Sequence, residues 1–118
     1  DGQIELIAEC MNEVKMFNAP VTSDDLKAIL SCKPKVIFRS NNNRYLAFLF
    51  SELSYRNLIT PNWQSVIANH KLFLSKDKSR DKYLNQGDLA TATNYVKDID
   101  HVKGYAIIDK YIKQLKKL

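Results

Sequence analysis

The chain has 118 residues, the size of one compact domain. Its 45% hydrophobic and 26% charged content excludes a disordered chain, and 3 Gly with 3 Pro are too few turn-formers for an all-β sandwich. A net charge of +5 and a pI near 9.2 admit a polyanionic partner without requiring one.

Residues 3–17 place Ile4, Ile7, Cys10, Met11, Val14 and Phe17 at helical spacing, which predicts an amphipathic first helix. Glu5, Glu9 and Glu13 recur every fourth residue on its other side. The plain reading of that stripe is a solvated face; the sharper one is a docking strip for a basic partner. Three stacked carboxylates with no nearby His are a poor metal site. Asn18-Ala19-Pro20 ends the helix, and Thr22-Ser23-Asp24-Asp25 suits the exposed amides of a new N-terminus. Leu26, Ile29 and Leu30 give that short helix its inner face until Lys33-Pro34 stops it.

Val36-Ile37-Phe38 is β-prone but has no obvious partner strand, so it reads as extended chain. A third helix is predicted from Asn43 to Leu58, with Leu46, Leu49, Phe50 and Leu53 on one stripe widened by Tyr45, Phe48 and Leu58. Thr60 as N-cap and Pro61 at the first helical position open a fourth helix over 61–74. Spacing buries Trp63, Val66, Ile67, His70 and Leu74 in it. Residues 75–86 are charged and mostly non-periodic, a loop. Asp88 then caps a helix carrying Leu89, Ala92 and Val96, and a last helix runs from His101 to Leu118 with Val102, Tyr105, Ile108, Ile112 and Leu115 inward. Lys110, Lys113, Lys116 and Lys117 near its end favour the negative pole of the helix dipole. The expectation is an all-α fold, a single domain over 1–118 of five to six helices, with a helix-turn-helix-like pair at 43–74. Because the chain begins at Asp1, it reads as a fragment of a longer protein, with Leu118 a plausible natural end.

Few residues carry chemistry. His70 and His101 sit in no metalloprotease motif, Gly2, Gly87 and Gly104 form no phosphate loop, and Cys10 and Cys32 have no zinc spacing. Both cysteines fall on predicted apolar faces, as small hydrophobes do. Asp77, Ser79, Asp81, Tyr83, Asn85 and Asp88 match the oxygen spacing of a calcium loop, but Lys82 stands where the turn glycine belongs and four cations surround the site. No catalytic residue, metal, cofactor or small-molecule substrate is expected. With no secretory signal and no apolar run of transmembrane length, the expected location is the cytoplasm and no membrane partner is expected.

The remaining candidate is a nucleic-acid face. Asn62, Gln64, Ser65 and Asn69 lie outward on the fourth helix, where amides can read adenine edges. Arg39, Arg44, Arg56 and Lys71 are placed to meet phosphates. Against this stand the single clear cation of that helix and a turn without glycine.

Residues 46–53 (Leu-Ala-Phe-Leu-Phe-Ser-Glu-Leu), Leu58-Ile59-Thr60-Pro61-Asn62-Trp63, Leu72-Phe73-Leu74 and Leu84-Asn85-Gln86-Gly87-Asp88-Leu89 follow in an order that resembles the C-terminal helical part of RteC-like proteins and related uncharacterised Bacteroidetes families. The resemblance covers about the last two-thirds of the chain. It implies a setting in conjugative mobile elements and association with DNA, as in excision control, and assigns no site residue. Two functions follow as expectations: a non-enzymatic, DNA-associated regulatory or accessory module, or a protein-interaction domain of a larger assembly using Glu5, Glu9 and Glu13.

Overall fold

A computed structural model describes residues 2–75, 82–96 and 103–115. In chain order the elements are α1 (Gly2–Glu13), α2 (Ser23–Leu30), β1 (Phe38–Arg39), α3 (Asn43–Tyr55), α4 (Trp63–Asn69), β2 (Phe73–Leu74), α5 (Gln86–Val96) and α6 (Lys103–Leu115). The fold is helical, as composition and periodicity predict. α3 is its central element, packed on α5 and α6, while α1 lies against α2 and α6, and α4 against α5. No helix among the described residues is long and apolar enough to cross a membrane.

The predicted apolar stripes form the core. Ile7, Cys10 and Met11 of α1, Leu26 and Ile29 of α2, Leu46, Leu49, Phe50 and Leu53 of α3, and Tyr105, Ile108, Ile112 and Leu115 of α6 are all buried. Helix starts follow their caps. Thr22 and Asp25 form a reciprocal capping box on α2, and the Asn42 side chain accepts from the backbone N–H of Arg44 and Tyr45 at the head of α3.

Helix ends depart from the sequence reading, and for one repeated reason. α1, α2, α3 and α4 each stop at a residue in the left-handed region: Lys15 (φ 51°), Cys32 (φ 59°), Asn57 (φ 58°) and Lys71 (φ 53°). In each case the next residue's N–H reaches back five residues, as in Met16 to Met11 O (2.9 Å), Lys33 to Ala28 O (2.9 Å), Leu58 to Leu53 O (3.0 Å) and Leu72 to Ile67 O (3.1 Å). These are four Schellman caps built without glycine. They shorten the predicted 3–17, 43–58 and 61–74 helices, and they turn Phe17, Leu58 and Leu74 out of them. Phe17 instead joins the core from a bridge to Ser40, and Leu58 is left exposed.

Four further expectations are corrected. Residues 36–38 are not unpartnered: Phe38 and Arg39 pair in parallel with Phe73 and Leu74, which the periodicity had assigned to the fourth helix. Tyr83 then bridges Leu74 antiparallel, so the start of α5 is preceded by an ordered strand contact. Phe17, Phe38 and Phe73 weld this small sheet to the core, with Phe17 and Phe73 stacked at 4.8 Å. Thr60 does not cap α4; its hydroxyl accepts from Asn62 N–H in a turn before the helix, which starts at Trp63. His70 is exposed at the end of α4 rather than buried. Asp88 is not the cap of α5 but its third helical residue, in a reciprocal pair with Asn85: Asp88 N–H donates to Asn85 Oδ1 (2.8 Å) and Asn85 N–H to Asp88 Oδ2 (3.3 Å).

Candidate functional site

The candidate reading face divides into side chains used inside the fold and side chains left outside. Arg39 Nη1 donates to Ser75 O (2.9 Å), fastening β1 to the chain beyond β2. Arg56 is paired with Glu52 one turn earlier on α3. Gln64 points at α5, where its Nε2 donates to Thr93 Oγ1 (3.1 Å) while that hydroxyl donates to Leu89 O (2.7 Å). Ser65 is half-buried, and Asn62, Asn69, Arg44 and Lys71 are exposed, with Lys71 Nζ 5.7 Å above the Tyr83 ring.

The pair at 43–74 also departs from helix-turn-helix geometry. Residues 56–62 join α3 to α4, against about three to four residues in that motif, and α4 packs chiefly on α5.

The asparagines of the central stretch likewise bond within the fold. Asn41 Nδ2 donates to Lys15 O (3.1 Å) and Phe17 O (2.7 Å), tying the α1 cap to the lead-in of α3. Asn43 Oδ1 accepts from the buried Ser40 hydroxyl (2.7 Å). Asn12 pairs with both backbone groups of Val21, accepting at 2.7 Å and donating at 2.9 Å, and Asn18 Oδ1 accepts from Arg39 N–H (2.9 Å). The amides of Asn12, Asn18 and Asn41 serve as detached pieces of backbone, satisfying main-chain groups between elements.

All three glutamates of the α1 stripe are exposed, and Tyr111 Oη of α6 lies 3.2 Å from Glu9 Oε1 and 3.1 Å from Glu13 Oε1. Burial first, then hydrogen bonds and repulsion from both carboxylates, hold the phenol pKa well above its ordinary value. Burial, reinforced by the charges of Glu13 and Glu9, pushes the Cys10 thiol up to about 12. Such a thiol is protonated and inert at neutral pH.

Among the described residues no three His, Cys, Asp or Glu side chains converge as a metal site. Of the calcium-loop positions, Asp77, Ser79 and Asp81 lie outside the described residues. Asp88 Oδ2 accepts from Asn85 N–H.

Periodicity did not reveal an apolar groove made of two adjoining hollows that share Leu30, Phe50, Leu58 and Ile59. One, of about 200 Å³, lies against α1 through Gln3, Ile4, Ile7 and Met11. The other, of about 190 Å³, runs between the end of α2 and α4, past Cys32, Thr60, Trp63, Val66 and Leu72. Leu30 and Leu58 stand on the shared lip, each 39% exposed. The groove exists because the cap at Asn57 expels Leu58 from α3 and the cap at Cys32 ends α2 beside it. A periodicity reading buries Leu58 and Leu30, and so hides it.

Charge is arranged unevenly around this feature. Residues 2–25 hold Glu5, Glu9, Glu13, Asp24 and Asp25 against the single cation Lys15, whereas residues 26–75 hold seven Lys and Arg against the single carboxylate Glu52. No family model, curated protein or solved structure matches the chain.

Proposed function

We propose that this is a non-enzymatic protein-interaction module that binds a partner segment in the apolar groove between α2, the 56–62 connection and α4. One observation supports the reading above the rest. Two apolar hollows adjoin through Leu30, Phe50, Leu58 and Ile59, and Leu30 and Leu58 are left 39% exposed where they meet. An amphipathic helix laid in such a groove is a recurring mode of recognition. The surface differs from the glutamate stripe the sequence suggested, where Tyr111 contacts one oxygen each of Glu9 and Glu13.

The chain's one tryptophan, Trp63, lines the groove and reports on it. Titration with an amphipathic helical peptide of leucines and uncharged glutamines should shift Trp63 fluorescence saturably. Leu58→Glu, at an exposed position, should abolish the shift while leaving the thermal transition within a few degrees. A shift unchanged by Leu58→Glu would defeat the groove reading.

A second reading, DNA association, keeps one observation in its favour: Lys27, Lys33, Lys35, Arg44 and Lys71 are exposed on a stretch with a single carboxylate. The resemblance to RteC-like proteins points the same way. Contact on that basis would be with phosphates and carry little sequence preference, since Gln64 is engaged by Thr93. Binding of a labelled duplex across a salt series tests it, because phosphate contacts weaken steeply with salt.

A further inference from the structure

We infer that the occupant of the groove is an acidic amphipathic helix of a partner protein, lying over the half between α2 and α4. This deepens the groove reading and rests on it. The floor of that half is apolar, with Phe50 and Trp63 stacked at 5.7 Å beneath Ile59 and Val66, so it suits a row of aliphatic side chains. Its rim is basic. Lys27 is exposed one turn before Leu30 on α2, and exposed Lys33 directly follows the groove residue Cys32.

Apart from Asp24, exposed in the first turn of α2, the acidic groups of the surrounding elements are engaged or belong to the other half. Glu52 is held by Arg56, Asp25 by the Thr22 N–H, and Glu9 and Glu13 by Tyr111. Glu5 and Asp24 are exposed, and Glu5 belongs to α1, which walls only the other half. A ligand with leucines inward and carboxylates outward therefore meets matching apolar and cationic surfaces. One with lysines outward meets Lys27 and Lys33 as like charges.

Three labelled peptides of about 18 residues, about five helical turns, test this when titrated into the intact chain by fluorescence anisotropy. They share one leucine face and carry Glu, Gln or Lys on the other. The Gln peptide measures the groove alone, and its failure to bind would overturn both the groove and its acidic partner. At low salt the Glu peptide should bind about tenfold more tightly than the Lys peptide, the scale of a few exposed charge pairs, with the gap closing as salt rises. Lys27→Glu with Lys33→Glu should reverse that preference and leave Gln-peptide binding unchanged. Equal binding of Glu and Lys peptides, or a preference that survives the double reversal, would overturn the inference while the groove stands. If the Glu peptide has no advantage and a DNA duplex binds independently of Leu58, the basic rim belongs to nucleic acid instead.

Discussion

Lys15, Cys32, Asn57 and Lys71 take a backbone conformation that costs an L-residue about 1–2 kcal/mol unless it is Asn, Asp or Gly. The four caps are retained because each satisfies helix-end carbonyls and aims the following residue, as Met16 and Leu72 into the core. Lys15→Gly should therefore raise stability by about 1 kcal/mol, a rise of about 3–5 °C in Tm. Asn57→Gly should change it much less, because Asn already tolerates the left-handed region. Thermal melts of the two variants side by side check the ordering. Asn41→Ala removes two hydrogen bonds to loop carbonyls and should destabilise by about 2 kcal/mol in a urea titration. None of this was legible in the sequence. Asn and Lys in a basic stretch look the same whether they face a ligand or staple a loop, and only the position of Lys15 O and Phe17 O separates the two.

Helix identity was readable, because four or five apolar residues at a 3.6 period outweigh local ambiguity, as along Leu46, Leu49, Phe50 and Leu53. Helix ends were not, since the usual terminating glycine is absent from all four Schellman caps. The β1–β2 pair was hidden for a different reason. Two residues carry no alternation, and Phe38 finds Phe73 only after α3 and α4 have brought the chain back. Between α1 and α6, buried Cys10 and Tyr111 make the stability of the packing depend on pH. Both groups have folded pKa values raised above their unfolded ones, Cys10 from 9.0 to about 12 and Tyr111 upward from 10.0. Their contribution is therefore fully present below about pH 9 and is lost as pH rises through the folded values. Tyr111→Phe removes one of the two ionisations, so its stability should fall less steeply than wild type between pH 9 and 12. Urea midpoints across that range measure the slopes, and parallel slopes would contradict the assignment.

At the scale of the whole molecule, an acidic N-terminal segment joins a basic middle, and an apolar groove opens along that basic segment. Of the candidate DNA-reading residues, Arg39, Arg56 and Gln64 bond within the fold, while Arg44, Asn62, Asn69 and Lys71 are exposed. The net charge was plain in the composition. That it borders an apolar hollow was not, because the groove depends on Leu30 and Leu58, which periodicity assigns to the interior. The most direct test is amide chemical-shift mapping with the Glu-faced peptide. The largest shifts should fall on Leu30, Cys32, Leu58, Ile59, Thr60 and Val66, along the two walls of the groove. Shifts centred instead on Arg44, Asn62 and Asn69, with the groove residues unmoved, would contradict the account.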